Sequence, residues 1–237
     1  YYFGEHIAKA MKGAGLTNVV VLYDIGYYGT GLMTCFEEFA GLSGLTIVMK
    51  QSFNSAWPDF RPVIAEFRGK QFDAVMLAGS GANAGRMIRQ LREMSITHPI
   101  YGGDGLDVDD VLSTAGKAPA NLFVSTIYST EYLQTNGTAM GKDFLERYRA
   151  AYKTDPDYMA MQGYEAVMLL VEAFQRANSV HSAEVSAIFK FSPVDWEGVM
   201  GRYMFRSTGE VVGKKFFVKD VQKGKAVMFE ESRGKLP

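Results

Sequence analysis

A chain of 237 residues, 47% of them hydrophobic, has enough apolar surface for one large or two modest packed cores, which excludes a disordered polymer. Its net charge of -1 offers no clustered basic footprint and so argues against nucleic acid as a partner, while a single cysteine, Cys35, rules out an intrachain disulfide. No apolar run approaches the roughly 20 residues of a spanning helix, and the first residues show no signal-peptide pattern, so no stable membrane insertion is expected.

In chain order, Phe3, Ile7, Met11 and Ala14 recur at helical spacing, and residues 19–23 then read as a buried strand closed by Asp24. Leu32, Phe36, Phe39 and Ala40 mark the next helix, with Cys35 a small buried hydrophobe on it. Residues 45–49 form a strand, and Phe60, Val63, Ile64 and Phe67 a helix opened by Pro58-Asp59. A strand at 74–78, a helical face of Met87, Ile88, Leu91 and Met94, a short strand at 99–101 and a last one at 122–127 complete the series. Strands alternating with helices predict right-handed crossovers and a doubly wound parallel sheet, so residues 1–128 make a nearly complete α/β lobe.

Beyond Tyr128 the pattern changes to helices at 144–152, 158–177 and 183–191 with no strands between them. The second is apolar almost all round, leaving a polar stripe of Gln162, Glu165, Glu172 and Gln175, which predicts burial on several sides. Three apolar helices must cover something, and residues 129–206 therefore read as part of another lobe whose main sheet the chain lacks. Residues 207–237 read as a return with closing strands at 216–218 and 227–229, after a strand at 203–205, with turns at Gly209 and Gly224.

Three strand-then-loop units end in Tyr27-Tyr28-Gly29, Gly79-Ser80-Gly81 and Gly103-Asp104-Gly105. They leave one sheet edge together, the edge at which open α/β sheets bind small molecules. A buried carboxylate is costly unless a cation meets it, so Asp104 favours a ligand bearing an ammonium or similar donor. Tyr28 offers a ring and a hydroxyl, and the Gly79–Asn83 loop offers backbone N–H groups at a helix start. Asp104-Gly105 reads equally as a common turn, and the glycines around Ser80 read first as a tight strand-to-helix connection and only second as a ligand loop.

Sharper motifs fail. Gly79, Gly81 and Gly85 do not have dinucleotide spacing, and no Walker Gly-Lys-Ser/Thr is present. Asp104, Asp107, Asp109 and Asp110 lack the alternation of a calcium loop and read as an Asp-rich helix start. His6, His98 and His181 are dispersed without ligand spacing and read as surface residues; no catalytic residue, metal or cofactor is expected. Trp57 and Trp196 read as packing at helix starts or turns.

The order of features from residues 19–24 (Val-Val-Val-Leu-Tyr-Asp) runs through Tyr28-Gly29, Asp59-Phe60, Phe72-Asp73-Ala74-Val75 and Gly102-Gly103-Asp104-Gly105. It continues to Tyr164-Glu165-Ala166-Val167, residues 201–205 with Gly209, and Gly224-Lys225. Over nearly the whole chain it resembles the type I periplasmic solute-binding proteins of branched-chain amino-acid ABC transporters, the leucine/isoleucine/valine-binding family. The resemblance implies two hinged α/β lobes that close on a small ligand, a periplasmic or extracellular location, an ABC transporter permease as partner, and no enzymatic activity. It further implies that an opening segment of the first lobe is absent here and that residues 1–128 are the second lobe.

Residue by residue, Tyr28 matches the family's aromatic ligand contact, and Asp104 the acidic residue that pairs with a ligand's α-ammonium. Ser80 and Gly81 stand where the branched-chain binder has two tyrosines, a departure that widens the cleft or makes it more polar. The implied ligand is an amino acid or related amine or amide. A ligand sensor of the same fold, or a Rossmann- or flavodoxin-like enzyme, are the alternative readings.

Overall fold

The structure, a computed structural model, describes residues 2–116, 121–191, 195–222 and 225–228. Its contacts divide the chain into two units, Tyr1–Thr126 with Phe217–Pro237 and Ile127–Phe216. The first break falls two residues before the boundary expected at 128.

In the first unit the elements run α1 (Tyr2–Gly13), β1 (Asn18–Asp24), α2 (Tyr27–Leu42), β2 (Thr46–Phe53), α3 (Arg61–Ala65), β3 (Ala74–Ala78), α4 (Gly81–Glu93) and β4 (Ile100–Gly102). A 3-10 turn (Asp104–Leu106), α5 (Asp109–Ala115) and β5 (Leu122–Thr126) follow. Strands β1 to β5 are parallel in the order β2-β1-β3-β4-β5, so the chain reverses its direction of winding between β1 and β3. The doubly wound parallel sheet expected from the alternation is thus the architecture observed.

Pleating explains why both faces bury. Val19, Val21, Ala74, Met76 and Ala78 point to one side, where Ile7 and Met11 of α1 and Leu32, Phe36 and Ala40 of α2 pack. Val20, Leu22, Val75 and Leu77 point to the other, against Val63 and Ile64 of α3, Met87, Ile88 and Leu91 of α4, and Val111 of α5. A strand covered on both faces has no polar alternation, which is why 19–23 and 74–78 read as continuous apolar runs. Cys35 is buried in α2 as expected, and desolvation pushes its thiol pKa up.

The second unit contains α6 (Thr130–Asn136), α7 (Ala139–Tyr152), α8 (Tyr158–Ala177), α9 (Ser182–Phe191), and a three-stranded sheet of β6 (Trp196–Gly198), β7 (Gly201–Phe205) and β8 (Val211–Val212). Helix α6 and strands β6 and β8 were not anticipated, because elements of two to seven residues carry too little periodicity to read. The helix starts are chemically marked: Ser129, Thr138 and Asp157 accept backbone N–H groups of Tyr132, Gly141 and Ala160 with their side chains. Trp196 lies on β6, not at a turn; it is fully buried, stacked on Phe189 and covered by the Arg176 guanidinium.

Helix α8 leaves an apolar face uncovered among the described residues and buries one residue of the expected polar stripe. Met159, Val167, Leu170, Val171 and Phe174 are exposed, whereas Glu165, assigned to the polar stripe, is buried. Glu165 accepts the Val199 N–H at 2.9 Å and pairs with Lys214, whose ammonium also lies over the Tyr203 ring. Burial first, then Glu165 and Glu172, push the Tyr203 pKa up.

The chain re-enters the first unit at β9 (Phe217–Gln222), which pairs antiparallel with β5, and β10 (Lys225–Met228) pairs antiparallel with β9. At this edge the sheet thus gains one strand that runs against β1 to β5, and beyond it β10, which runs with them. Gly224 and Phe229, assigned to the closing turn and strand, lie outside the described residues.

Candidate functional site

The carboxyl ends of β1, β3 and β4 deliver the candidate residues. After β1 the chain turns at once into α2, and Gly29 makes this possible: a Cβ there would stand 2.8 Å from the Asp24 amide nitrogen and 2.9 Å from the Ala78 carbonyl oxygen. Asp24 accepts Gly26 N–H at 2.7 Å and Ser55 N–H at 2.9 Å, tying the β1–α2 connection to the segment after β2. Tyr28 is thereby fixed on the first turn of α2, half-buried, while Tyr27 is 98% exposed.

The Tyr28 hydroxyl donates to Asp104 Oδ1 at 2.9 Å and accepts the Gly105 N–H, also at 2.9 Å. Two residues 76 positions apart are thus joined directly. The glycines flanking Asp104 allow the approach. A Cβ on Gly103 would sit 2.8 Å from the Tyr28 hydroxyl oxygen, and one on Gly105 would sit 2.8 Å from the Gly79 carbonyl oxygen and 2.9 Å from both Ser80 Cβ and Tyr28 Cε1.

Ser80 is the exposed, extended residue that opens α4, and Gly81 follows with φ of +59°, in the left-handed region where an L side chain is strained. That conformation is a physical reason for glycine here instead of an aromatic residue. Tyr28, Ser80, Gly81 and Asp104 therefore lie around one turn at the β1/β3 switch point of the sheet, the position at which such sheets hold ligands. Asp104 is half-buried and Tyr28 presents ring and hydroxyl, so the arrangement can offer a negative group and an amphipathic wall to a small molecule.

The acidic cluster separates by role. Asp109 and Asp110 occupy the exposed first turn of α5, as expected for a helix start. Asp107 does not. It is buried, with both carboxylate oxygens 2.8–2.9 Å from Lys219 Nζ of β9 and one accepting the Thr126 hydroxyl at 2.7 Å. Burial pushes its carboxyl pKa up from the ordinary value, against the pull of Lys219 and Thr126. Sequence reading missed this residue because its partner lies 112 positions away.

The histidines correct a further expectation. His181 is exposed, but His6 and His98 are half-buried, and His98 packs its ring 4.2 Å from that of Phe72. A hollow of about 480 Å³ beside His98 lies at the opposite, amino-terminal edge of the sheet, where Asp73 accepts the Thr17 and Asn18 N–H groups and the Thr17 hydroxyl. Those hydrogen bonds clamp the starts of β1 and β3 together. Trp57 lies just past the turn that follows β2, 44% exposed, and its carbonyl accepts from Arg86 at 2.9 Å. Among the described residues no group of three or more His, Cys, Asp or Glu is arranged to hold a metal, and no helix is long and apolar enough to cross a membrane.

A doubly wound unit with a polar turn at its switch point defines a class of ligand-binding α/β proteins, and comparison with known proteins narrows it. Residues 4–226 match the periplasmic binding protein family, and the chain belongs to it. An amino acid binding protein of Pseudomonas aeruginosa is 25% identical over 208 residues, 88% of this chain and 53% of that protein.

Among solved structures, a leucine binding protein of Thermotoga maritima superposes with a TM-score of 0.83 at 25% identity, covering 97% of this chain and 64% of that one. The substrate binding protein of a branched-chain amino acid transporter from Streptococcus pneumoniae, in complex with isoleucine, gives 0.81 at 28% identity, covering 95% and 64%. The fold is therefore the type I periplasmic-binding-protein fold, and the chain resembles the leucine/isoleucine/valine-binding group. It spans about half the length of the curated relatives it matches.

Proposed function

We propose that this chain forms part of an extracytoplasmic solute-binding protein that captures a small polar ligand, an amino acid or a related amine or amide, for delivery to an ABC transporter permease. One observation carries the reading: Tyr28, Ser80 and the Asp104 turn are drawn together at the β1/β3 switch point. Asp104 pairs with the ligand's ammonium or amide donor, Tyr28 covers its stem, and Ser80 with the backbone at Gly81 borders a site more open than one walled by two tyrosines. The protein performs no covalent chemistry. Its work is done by contacts that favour the ligand-bound conformation.

The exposed apolar face of α8 belongs to the same proposal. Met159, Val167, Leu170, Val171 and Phe174 form a stripe of the kind that marks a packing surface. We place against it the sheet of the lobe to which residues 129–206 belong.

The test is a thermal-shift and calorimetric screen of the protein against L-amino acids, amides, short-chain amines and aromatic acids. A saturable stabilisation by amine- or amide-bearing compounds that Asp104→Ala weakens supports the reading. Selective binding of aromatic acids unaffected by Asp104→Ala overturns the assignment of Asp104.

A further inference from the structure

The chain leaves the first unit after Thr126 and re-enters it at Phe217, and these two residues are register partners on β5 and β9. Two side chains beside those crossings, Thr126 itself and Lys219, hold one carboxylate, that of Asp107. Asp107 in turn ends the 3-10 turn that Asp104 begins, its N–H donating to the Asp104 carbonyl at 2.9 Å while Leu106 N–H donates to Gly103 at 3.0 Å. The links run without a gap: strands β5 and β9, then Asp107, then the turn, then Asp104 and the Tyr28 hydroxyl.

We propose that Asp107 is a positioning residue for the candidate site, fixing the Asp104 turn to the two strands by which the chain crosses between its units. The proposal rests on the reading of Asp104 as a ligand contact. A stable core alone does not call for such a group, because a buried ion pair is commonly replaceable by apolar residues of similar volume without loss of stability. What the pair adds is direction. A carboxylate held through both oxygens by one ammonium and through one by a hydroxyl has a single placement, whereas an apolar side chain in that space tolerates several.

The arrangement also makes the turn sensitive to the strands. A tilt of β5 against β9 at Thr126 and Phe217 displaces the donors of Asp107, and the backbone bond from Asp107 to Asp104 passes that displacement to the site.

Amide hydrogen exchange followed by NMR tests this without any ligand. Thr126→Val, which removes the hydroxyl that donates to Asp107, is expected to raise exchange at Gly105 and Asp107 about threefold, and Lys219→Met about tenfold or more, with Lys219→Arg close to wild type. Amides of Val20, Leu22, Val75 and Leu77 in the sheet stay at wild-type rates in every variant. Unchanged exchange at Gly105 and Asp107 in folded Thr126→Val overturns the proposal, as does a rise shared equally by the sheet amides. Should Lys219→Met fail to fold, Thr126→Val decides alone. Calorimetry with L-leucine and with the compounds that stabilise the wild-type protein separates the two readings: a loosened turn with binding unaffected by Asp104→Ala leaves Asp107 as a hold on the turn alone, removes Asp104 from the ligand and overturns the positioning role at the site.

Discussion

The Tyr28 hydroxyl stands between Asp104 and Gly105, donating to the carboxylate of one and accepting the backbone N–H of the other, each at 2.9 Å. A phenol used in this way both orients the acid and anchors the turn that carries it. It couples the first turn of α2 to the segment following β4, across the point where the sheet reverses its winding.

Removing that hydroxyl separates the two roles. Tyr28→Phe keeps the ring and is expected to cost about 1.5–3 kcal/mol of stability in urea unfolding, the range for a hydrogen bond to a charged group. Tyr28→Ala removes the wall as well and is expected to weaken ligand binding further without abolishing the fold.

Asp104 is expected to matter through its charge. With an amine-bearing ligand, Asp104→Ala lowers affinity by ~1.5–3 kcal/mol, and Asp104→Asn, which keeps an acceptor, by less. Isothermal calorimetry measures both; equal affinity in all three proteins removes Asp104 from the site.

Gly105 tests the crowding of the turn. Its added Cβ would meet a backbone oxygen, Ser80 and the Tyr28 ring inside van der Waals contact. Gly105→Ala is therefore expected to destabilise by about 1–3 kcal/mol, as overpacking does, and to displace Tyr28. An unchanged melting temperature contradicts this geometry.

Asp73 predicts a pH dependence. The Asn18 N–H foremost, and then Thr17, hold its carboxyl below the ordinary value of 3.8. A lowered folded-state pKa contributes stability that is present in full above the unfolded-state value and is lost as pH falls through the folded-state value. Asp73→Asn is thus expected to be less stable than wild type at pH 7, by about 1 kcal/mol. As pH falls below 3.8 the difference narrows, and chemical denaturation across that range checks it.

The apolar face of α8 predicts association. The isolated chain is expected to bind a hydrophobic dye and to elute as more than a monomer, and Val167→Lys with Leu170→Lys to suppress both while leaving the melting temperature unchanged. A monomer that binds no dye removes this face as a packing surface.

Local sequence alone determined the alternation of helices and strands through residue 128, because a strand covered on both faces must be apolar throughout and a covering helix must repeat its apolar positions each turn. It also brought Tyr28, Ser80 and Asp104 to one edge, since parallel strands discharge their following loops on the same side. Only the tertiary structure decided what depends on partners far along the chain. Asp107 looks like any residue of an Asp-rich helix start until Lys219 arrives on β9, and Glu165 like a solvated stripe until Lys214 and the Val199 amide meet it. Nor does composition distinguish a helix buried all round from one whose apolar face is left open, as in α8. Periodicity is a property of neighbours in sequence, whereas the pairing of charges and the covering of faces are settled by residues that only folding makes adjacent.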